Sequence, residues 1–197
     1  NNKGGSGKST SCSCIAAALS KRGKRVLAVD GDMQLNLTLS FFSEEKAFEF
    51  AKSDFNTYTL LTRNAHVKSC IRRTEYENVD VLPSSTLMSG VEYELFSKWQ
   101  RETIMRRAFE DLRKSGEYDY ILLDAPPTLG CLVMNVLACA DYLIIPLEAS
   151  PWGLFGLANM FDFVETVKGI NPALEVLGVL VTKVDTRKNY FKQTIEA

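Results

Sequence analysis

The sequence predicts an α/β domain in which a mostly parallel sheet is covered by helices on both faces, with residues 1–197 forming a single domain. Three observations predict it. Short runs that are apolar throughout (RVLAVD, VDVLP, YDYILLD, YLIIP and VLGVLVT) alternate with segments carrying apolar residues at helical spacing. Strands that are apolar on both faces belong to parallel sheets sandwiched between helices. Asp30 and Asp124 close two of these runs, and such folds bind ligands at strand C-termini. A glycine-rich stretch, GGSGKST, leads directly into the first helix.

The elements follow in order. STSCSCIAAALSKRG is Ala-rich and stops at Gly23 behind Lys21 and Arg22, as a helix C-terminus does. RVLAVD is a β-branched strand ending in an acid. Residues 40–76 are polar, with helical pieces around EEKAFEFAK and NTYTLLTR. VDVLP is a strand stopped by Pro83. Residues 90–114 carry Val91, Leu95, Trp99, Ile104, Phe109 and Leu112 at helical spacing and predict a helix with these side chains inward. YDYILLD is a buried strand. A helix from about 130 to 139, the strand YLIIP and a helix over 153–168 come next, the last with Leu154, Leu157, Met160, Phe161 and Val164 on one side. VLGVLVT is the closing strand, followed by VDTRKN and a final helix. The chain begins inside the glycine-rich loop, which ordinarily follows a buried strand, and stops in a helical pattern. It therefore reads as a domain truncated at both ends, its first and central strand missing, and unstable when isolated.

Bulk composition narrows the function. With 46% hydrophobic residues the chain can bury a sizeable core, while a net charge of −1 gives no global footprint for nucleic acid. The longest apolar stretch, CLVMNVLACADYLIIPL, is broken by Asn135, Asp141 and Pro146, and predicts helix, turn and strand rather than a membrane span. No signal peptide is visible. Five cysteines (Cys12, Cys14, Cys70, Cys131, Cys139) without a C-x-x-C pair read as reduced, mostly buried thiols. The single His66 lies in a polar stretch with no chemical partner in the sequence.

The chemistry concentrates at the first loop. Backbone N–H groups of GGSGKST can wrap a phosphate in front of a helix N-terminus. In that arrangement Lys8 reaches the β- and γ-phosphates, the Ser9 hydroxyl ligates Mg²⁺ and Thr10 faces the α-phosphate. The loop departs from G-x-x-x-x-G-K-[ST] because Asn2 stands where glycine is usual, and a second lysine, Lys3, comes next. Asp124 suits a Walker-B acid that holds Mg²⁺ through water. Asp30 and Asp32, two residues apart at a strand end, can share one metal–phosphate centre, one acid toward the metal and the other toward an attacking water.

Taken in order, Lys3 with GGSGKST, VDGDMQLNLT, LPSS, YDYILLDAPPTLG and VLVTKVDTR resemble the deviant-Walker ATPases of the ParA/Soj and MinD superfamily. The NLT, LPSS and DAPPTLG neighbourhoods are most similar to ParA/Soj. The resemblance implies the three-layer α/β/α fold of P-loop NTPases, Mg-ATP as cofactor, slow partner-stimulated hydrolysis, and a sandwich homodimer with two nucleotides at the interface. It implies that Lys3 crosses to the partner's phosphates, and that Lys3, Gly4, Gly5, Ser6, Gly7, Lys8, Ser9 and Thr10 form the nucleotide loop. Ser9, Asp30 and Asp124 are implied around the metal, with Asp32 positioning the lytic water. It also implies a ParB-like centromere-binding partner and non-specific DNA binding in the ATP state, with Arg187 and Lys188 the candidate contacts. No membrane partner is expected, and the implied location is the bacterial cytoplasm, at the nucleoid.

Departures are visible. Asp30-Gly31-Asp32-Met33-Gln34 replaces the usual D-L-D-P-Q, which loosens the switch segment. EASPWGLFGL puts Trp152 in reach of the nucleotide or of the core. Thr182 to Asp185, TKVD, echoes a guanine-reading motif, although the overall match favours adenine. The alternative function is a MinD-like membrane-surface positioning ATPase, which needs a C-terminal amphipathic helix. A metal-cluster carrier is disfavoured by the absence of C-x-x-C, and a non-hydrolysing regulator by the presence of Asp32 and Asp124.

Overall fold

The computed structural model describes residues 5–148 and 151–184, with the backbone alone described for 151–155. Two parallel arrays carry the chain. In the first, β1 (Val26–Asp30) is flanked by β3 (Val79–Leu82) and β4 (Tyr120–Asp124), and the short β2 (Arg72–Arg73) adds antiparallel to β3. In the second, β5 (Tyr142–Glu148) pairs with β6 (Glu175–Thr182), with a register irregularity at Leu143/Ile144. No ladder joins β4 to β5 among the described residues.

Alternation along β1 builds the layers. Paired in parallel on both sides, all five of its residues are buried. Leu27 and Val29 point into the main core, where Leu60, Leu82, Leu95, Met105, Phe109 and Leu112 meet. Val26 and Ala28 point the other way, toward Ala16 and Cys12 of α1 (Lys8–Ser20) and Leu37 of α2 (Asn36–Leu39). Helices therefore cover both faces, as the apolar strands predict.

The stretch 40–76 resolves into helices with local caps. Ser43 caps α3 (Glu44–Lys52), and Asn56 exchanges bonds with Thr59 in a capping box that starts α4 (Thr57–Thr62). The following α5 (Val67–Cys70) leads into β2.

The single helix expected over 90–114 is not formed. A 3-10 turn (Thr86–Gly90), α6 (Val91–Phe96), a second 3-10 turn (Arg101–Thr103), α7 (Ile104–Ala108) and α8 (Glu110–Ser115) replace it. Gln100, with φ 50°, breaks the run in the left-handed region. Val91, Leu95, Ile104, Phe109 and Leu112 still point inward, but Trp99 is 85% exposed. The break rotates it out.

α9 (Cys131–Cys139), apolar apart from Asn135, serves two cores. Leu132 and Val136 join the main cluster, while Val133 and Leu137 pack with Ile145 of β5 and with Met160 and Val164 of α10 (Pro151–Lys168). Phe161, expected on the inner side of α10, is 41% exposed. β6 is less covered than its composition suggests, with Leu177 65% exposed. Of the cysteines, Cys70 and Cys139 are buried, Cys12 and Cys131 half-buried, and Cys14 exposed, all as free thiols. Among the described residues no helix is long and apolar enough to cross a membrane. The expected final helix lies outside the described residues.

Asn135, fully buried on α9, fastens the broken segment. Its amide donates to Arg101 O (2.6 Å) and Cys131 O (2.9 Å), and its carbonyl accepts from Met105 N (3.0 Å). Asn135→Ala leaves buried backbone groups of two elements unpaired, and should lower unfolding free energy by about 1–3 kcal/mol in a urea titration. An unchanged midpoint would show that these bonds carry no net stability.

Candidate nucleotide-binding site

The glycine-rich loop turns into α1 at Gly7, whose φ of 86° caps the helix in the left-handed region. Its carbonyl receives the N–H of Ser11 at 2.8 Å. Ser6 is fully buried, its carbonyl accepting from Thr182 Oγ1 at 2.9 Å while its own hydroxyl finds no protein partner. The same Thr182 hydroxyl lies 3.3 Å from Leu147 O, so the loop is seated on the ends of β5 and β6. Burial lowers the pKa of the Lys8 ammonium, against the pull of Asp124 and Asp32. Lys3 and Gly4 lie outside the described residues.

Two acids reach the loop from neighbouring strands. Asp30 and Asp124 end β1 and β4 at the same register position. Gly31 follows, donating its N–H to Asp124 O at 3.0 Å. A Cβ at Gly31 would stand 2.7 Å from that carbonyl, so β1 leaves the sheet where only glycine clears its neighbour. Asp124 is 3% exposed, and its Oδ2 is buried without a hydrogen-bond partner. Burial pushes its carboxyl up to about 7, with Asp30 and Asp32 adding to the rise, while the Ser9 hydroxyl and Lys8 pull it back.

Asp30 accepts bonds from the segment that follows it. Its Oδ2 accepts from Thr38 N (2.8 Å) and Thr38 Oγ1 (2.6 Å), and its Oδ1 from Asp32 N (3.1 Å). It is 0% exposed and, like Asp124, is not among the residues that line the cavity. These bonds make Asp30 a buried latch that holds α2 and the backbone of Asp32. Burial still raises its carboxyl to about 6 despite these three bonds. Asp32 does line the cavity, with Oδ1 fixed by the N–H of Gln34 at 3.0 Å.

Above this floor opens a cavity of about 890 Å³. The residues Gly5 to Thr10 form its base, Gly31 to Gln34 one wall, Met88 to Glu92 and Pro126 to Thr128 another, and Thr182 and Lys183 the rim. Burial, then Asp124 and Asp30, push the neighbouring Cys12 thiol far up, which makes it an inert packing group. The expected DNA contacts Arg187 and Lys188 lie outside the described residues, as do Asp185 of TKVD and the side chain of Trp152.

Several residues of the site have roles that no motif announces. Thr38 falls in the NLT stretch and Thr182 in TKVD, but neither motif foretells the bond to Asp30 or the seat under Ser6. Glu92 has no local signal, because its partners at Cys131 and Leu132 lie 39 and 40 residues away.

The donor set suits a magnesium–nucleotide pair. A partnerless carboxylate oxygen sits beside a lysine, a serine and a loop of backbone donors, and a cation carried in by phosphate relieves such a buried charge.

Comparison with known proteins agrees. A family model described as an AAA domain matches residues 1–176. The chain is 38% identical to the sporulation initiation inhibitor protein Soj of Bacillus subtilis, over 100% of this chain and 75% of that protein. It is 34% identical to the chromosome partitioning protein ParA of Caulobacter vibrioides, over 98% and 71%. Among solved structures, cobyrinic acid a,c-diamide synthase from Mycobacterium smegmatis with bound ADP and magnesium superposes with a TM-score of 0.89 at 30% identity, covering 100% of this chain and 77% of that one. A plasmid partition protein from Borrelia burgdorferi superposes with a TM-score of 0.83 at 28% identity, over 100% and 81%. Phosphate loop, paired strand-end acids and likeness to named partition proteins over nearly the whole of this chain converge, and the chain belongs to the ParA/Soj family of partition ATPases.

Proposed function

We propose that this chain binds Mg-ATP, closes into a homodimer around two nucleotides, and hydrolyses ATP slowly to time the segregation of a plasmid or chromosome. The observation that carries the reading is the partnerless Oδ2 of Asp124, buried beside Lys8 and Ser9 under the phosphate loop.

In this reading the backbone N–H groups of Gly4 to Thr10 hold the phosphates, and Lys8 supplies the positive charge at the β- and γ-phosphates. A bound magnesium ion would neutralise the spreading negative charge, held by the Ser9 hydroxyl and, through water, by Asp124. Asp32 orients the lytic water and accepts its proton. Its support is the Gln34 N–H on one side and the Asp30 latch beneath. Phosphoryl transfer asks chiefly for such positioning and charge neutralisation. Lys3 is assigned to the partner's phosphates, so that full neutralisation comes only with dimer closure. Arg187 and Lys188 are assigned to DNA phosphates and a ParB-like protein to stimulation of hydrolysis, both on family likeness.

The deciding experiment is Asp32→Ala. Turnover should fall at least about 100-fold, as loss of a general base does, while binding of a non-hydrolysable ATP analogue stays near the wild-type value. Unchanged turnover would move the water to another group. Lys3→Ala should abolish ATP-dependent dimerisation in sizing chromatography with nucleotide binding retained; an intact dimer would refute the cross-subunit assignment.

The buried acids also set a pH dependence. Asp30 and Asp124 titrate higher in the folded chain than the ordinary value of 3.8. Between about pH 4 and pH 7 the folded state therefore binds more protons than the unfolded one, and stability falls as pH rises through that window. Nucleotide-free Asp124→Asn should show a shallower fall in Tm from pH 5 to pH 8 than the wild type. An identical slope would mean that Asp124 is not raised.

A further inference from the structure

The loop leaving β4 runs from Asp124 through Pro126 and Pro127 to Gly130, and α9 begins at its far end. A Ser, Thr, Asp or Asn at the N-cap would satisfy the first N–H groups of the helix locally. Gly130 stands there instead and provides no side-chain cap. The cap comes from α6. Glu92 Oε2 accepts the N–H of Cys131 at 2.9 Å, and Oε1 accepts that of Leu132 at 3.0 Å. Both carboxylate oxygens are engaged on the positive end of a nine-residue helix, where a negative charge is favoured.

Close approach makes the arrangement possible. Gly130 is extended, with φ −162°, so its backbone would accept any residue, yet a Cβ there would stand 2.5 Å from Glu92 Oε1. A side chain at 130 would displace the carboxylate rather than strain the turn. Val91 and Leu95 are buried on either side of Glu92 in the sequence of α6, and they fix the helix that carries it. Glu92, an exposed residue, lines the same cavity as Asp32, Pro126 and Pro127.

We infer that Glu92 is a positioning residue for hydrolysis: by holding the N-terminus of α9 it fixes the loop 125–130 and, through it, the place of Asp124 beneath the phosphates. The inference rests on the ATPase reading given above. Loss of the clamp frees one end of a short loop whose other end is the Walker-B acid. Displacements of about 1 Å at a catalytic centre can cost on the order of 100-fold in rate.

The test compares wild type with Glu92→Ala, Glu92→Gln and Gly130→Ala. Gly130→Ala keeps the carboxylate and its charge but pushes it off the helix, so it stands in for Glu92→Ala should that variant fold poorly. Five quantities are read: kcat and KM for ATP, affinity for a non-hydrolysable ATP analogue with magnesium, hydrogen–deuterium exchange of residues 131–134 without nucleotide, and Tm. Glu92→Ala and Gly130→Ala should speed exchange at 131–134 and lower kcat about 10- to 100-fold, with analogue affinity within about threefold of wild type. Glu92→Gln, which keeps one accepting oxygen, should fall between. Faster exchange with wild-type kcat overturns the inference, as does a joint loss of affinity, kcat and Tm, which marks a merely structural cap. Absence of ATP turnover in the wild type would instead sink the ATPase reading, with the exchange data still deciding whether Glu92 holds α9.

Discussion

Adjacent parallel strands that end together put Asp30 and Asp124 side by side in a dry interior, and the rest of the site answers that constraint. Two buried like charges cannot both be left to the sheet. One is absorbed by the protein, since Asp30 accepts three bonds from Thr38 and Asp32 and so binds the switch segment to β1. The other is left incomplete, with a bare oxygen near Lys8 and Ser9. Of the two strand-end acids, one is saturated with protein hydrogen bonds and the other keeps a free oxygen. Thr57 reinforces the saturated side by donating to Asp30 O and approaching Pro83 O, where β1 and β3 end.

The parts legible in the sequence are those with local causes. Continuous apolar runs gave away β1, β3, β4, β5 and β6, and GGSGKST gave away the floor of the cavity. Helices α3 and α4 could be seen because their caps, Ser43 and Asn56, sit beside them. Failures came where distant contacts decide. The 90–114 segment carries apolar residues at roughly helical spacing, yet the chain breaks at Gln100, and just past the break Asn135, from α9, takes backbone groups of the second 3-10 turn and of α7. Trp99 then falls outside, and no pattern confined to its own neighbourhood could have said so. Asp30 and Asp32 look interchangeable as D-x-D. Their different fates depend on Thr38, which reaches only one of them.

α9 shows how little chain is needed to integrate the domain. A helix with one apolar stripe joins one core; this one joins two, so displacement of α9 is felt on both sides of the gap between the ladders. Its buried polar residue, Asn135, looked in the sequence like an interruption of an apolar run. In the structure it is the fastening that keeps α7 and the preceding turn in place.

Gly31 has a consequence for motion. Its N–H holds the carbonyl of Asp124, so the backbone leaving β1 is hinged to the backbone leaving β4. Neither exit can swing alone without breaking that bond, and no side chain at 31 is present to wedge them apart. The exit of β1 toward Asp32 and the exit of β4 past Asp124 are thus tied through one backbone bond, and moving either one alone costs that bond.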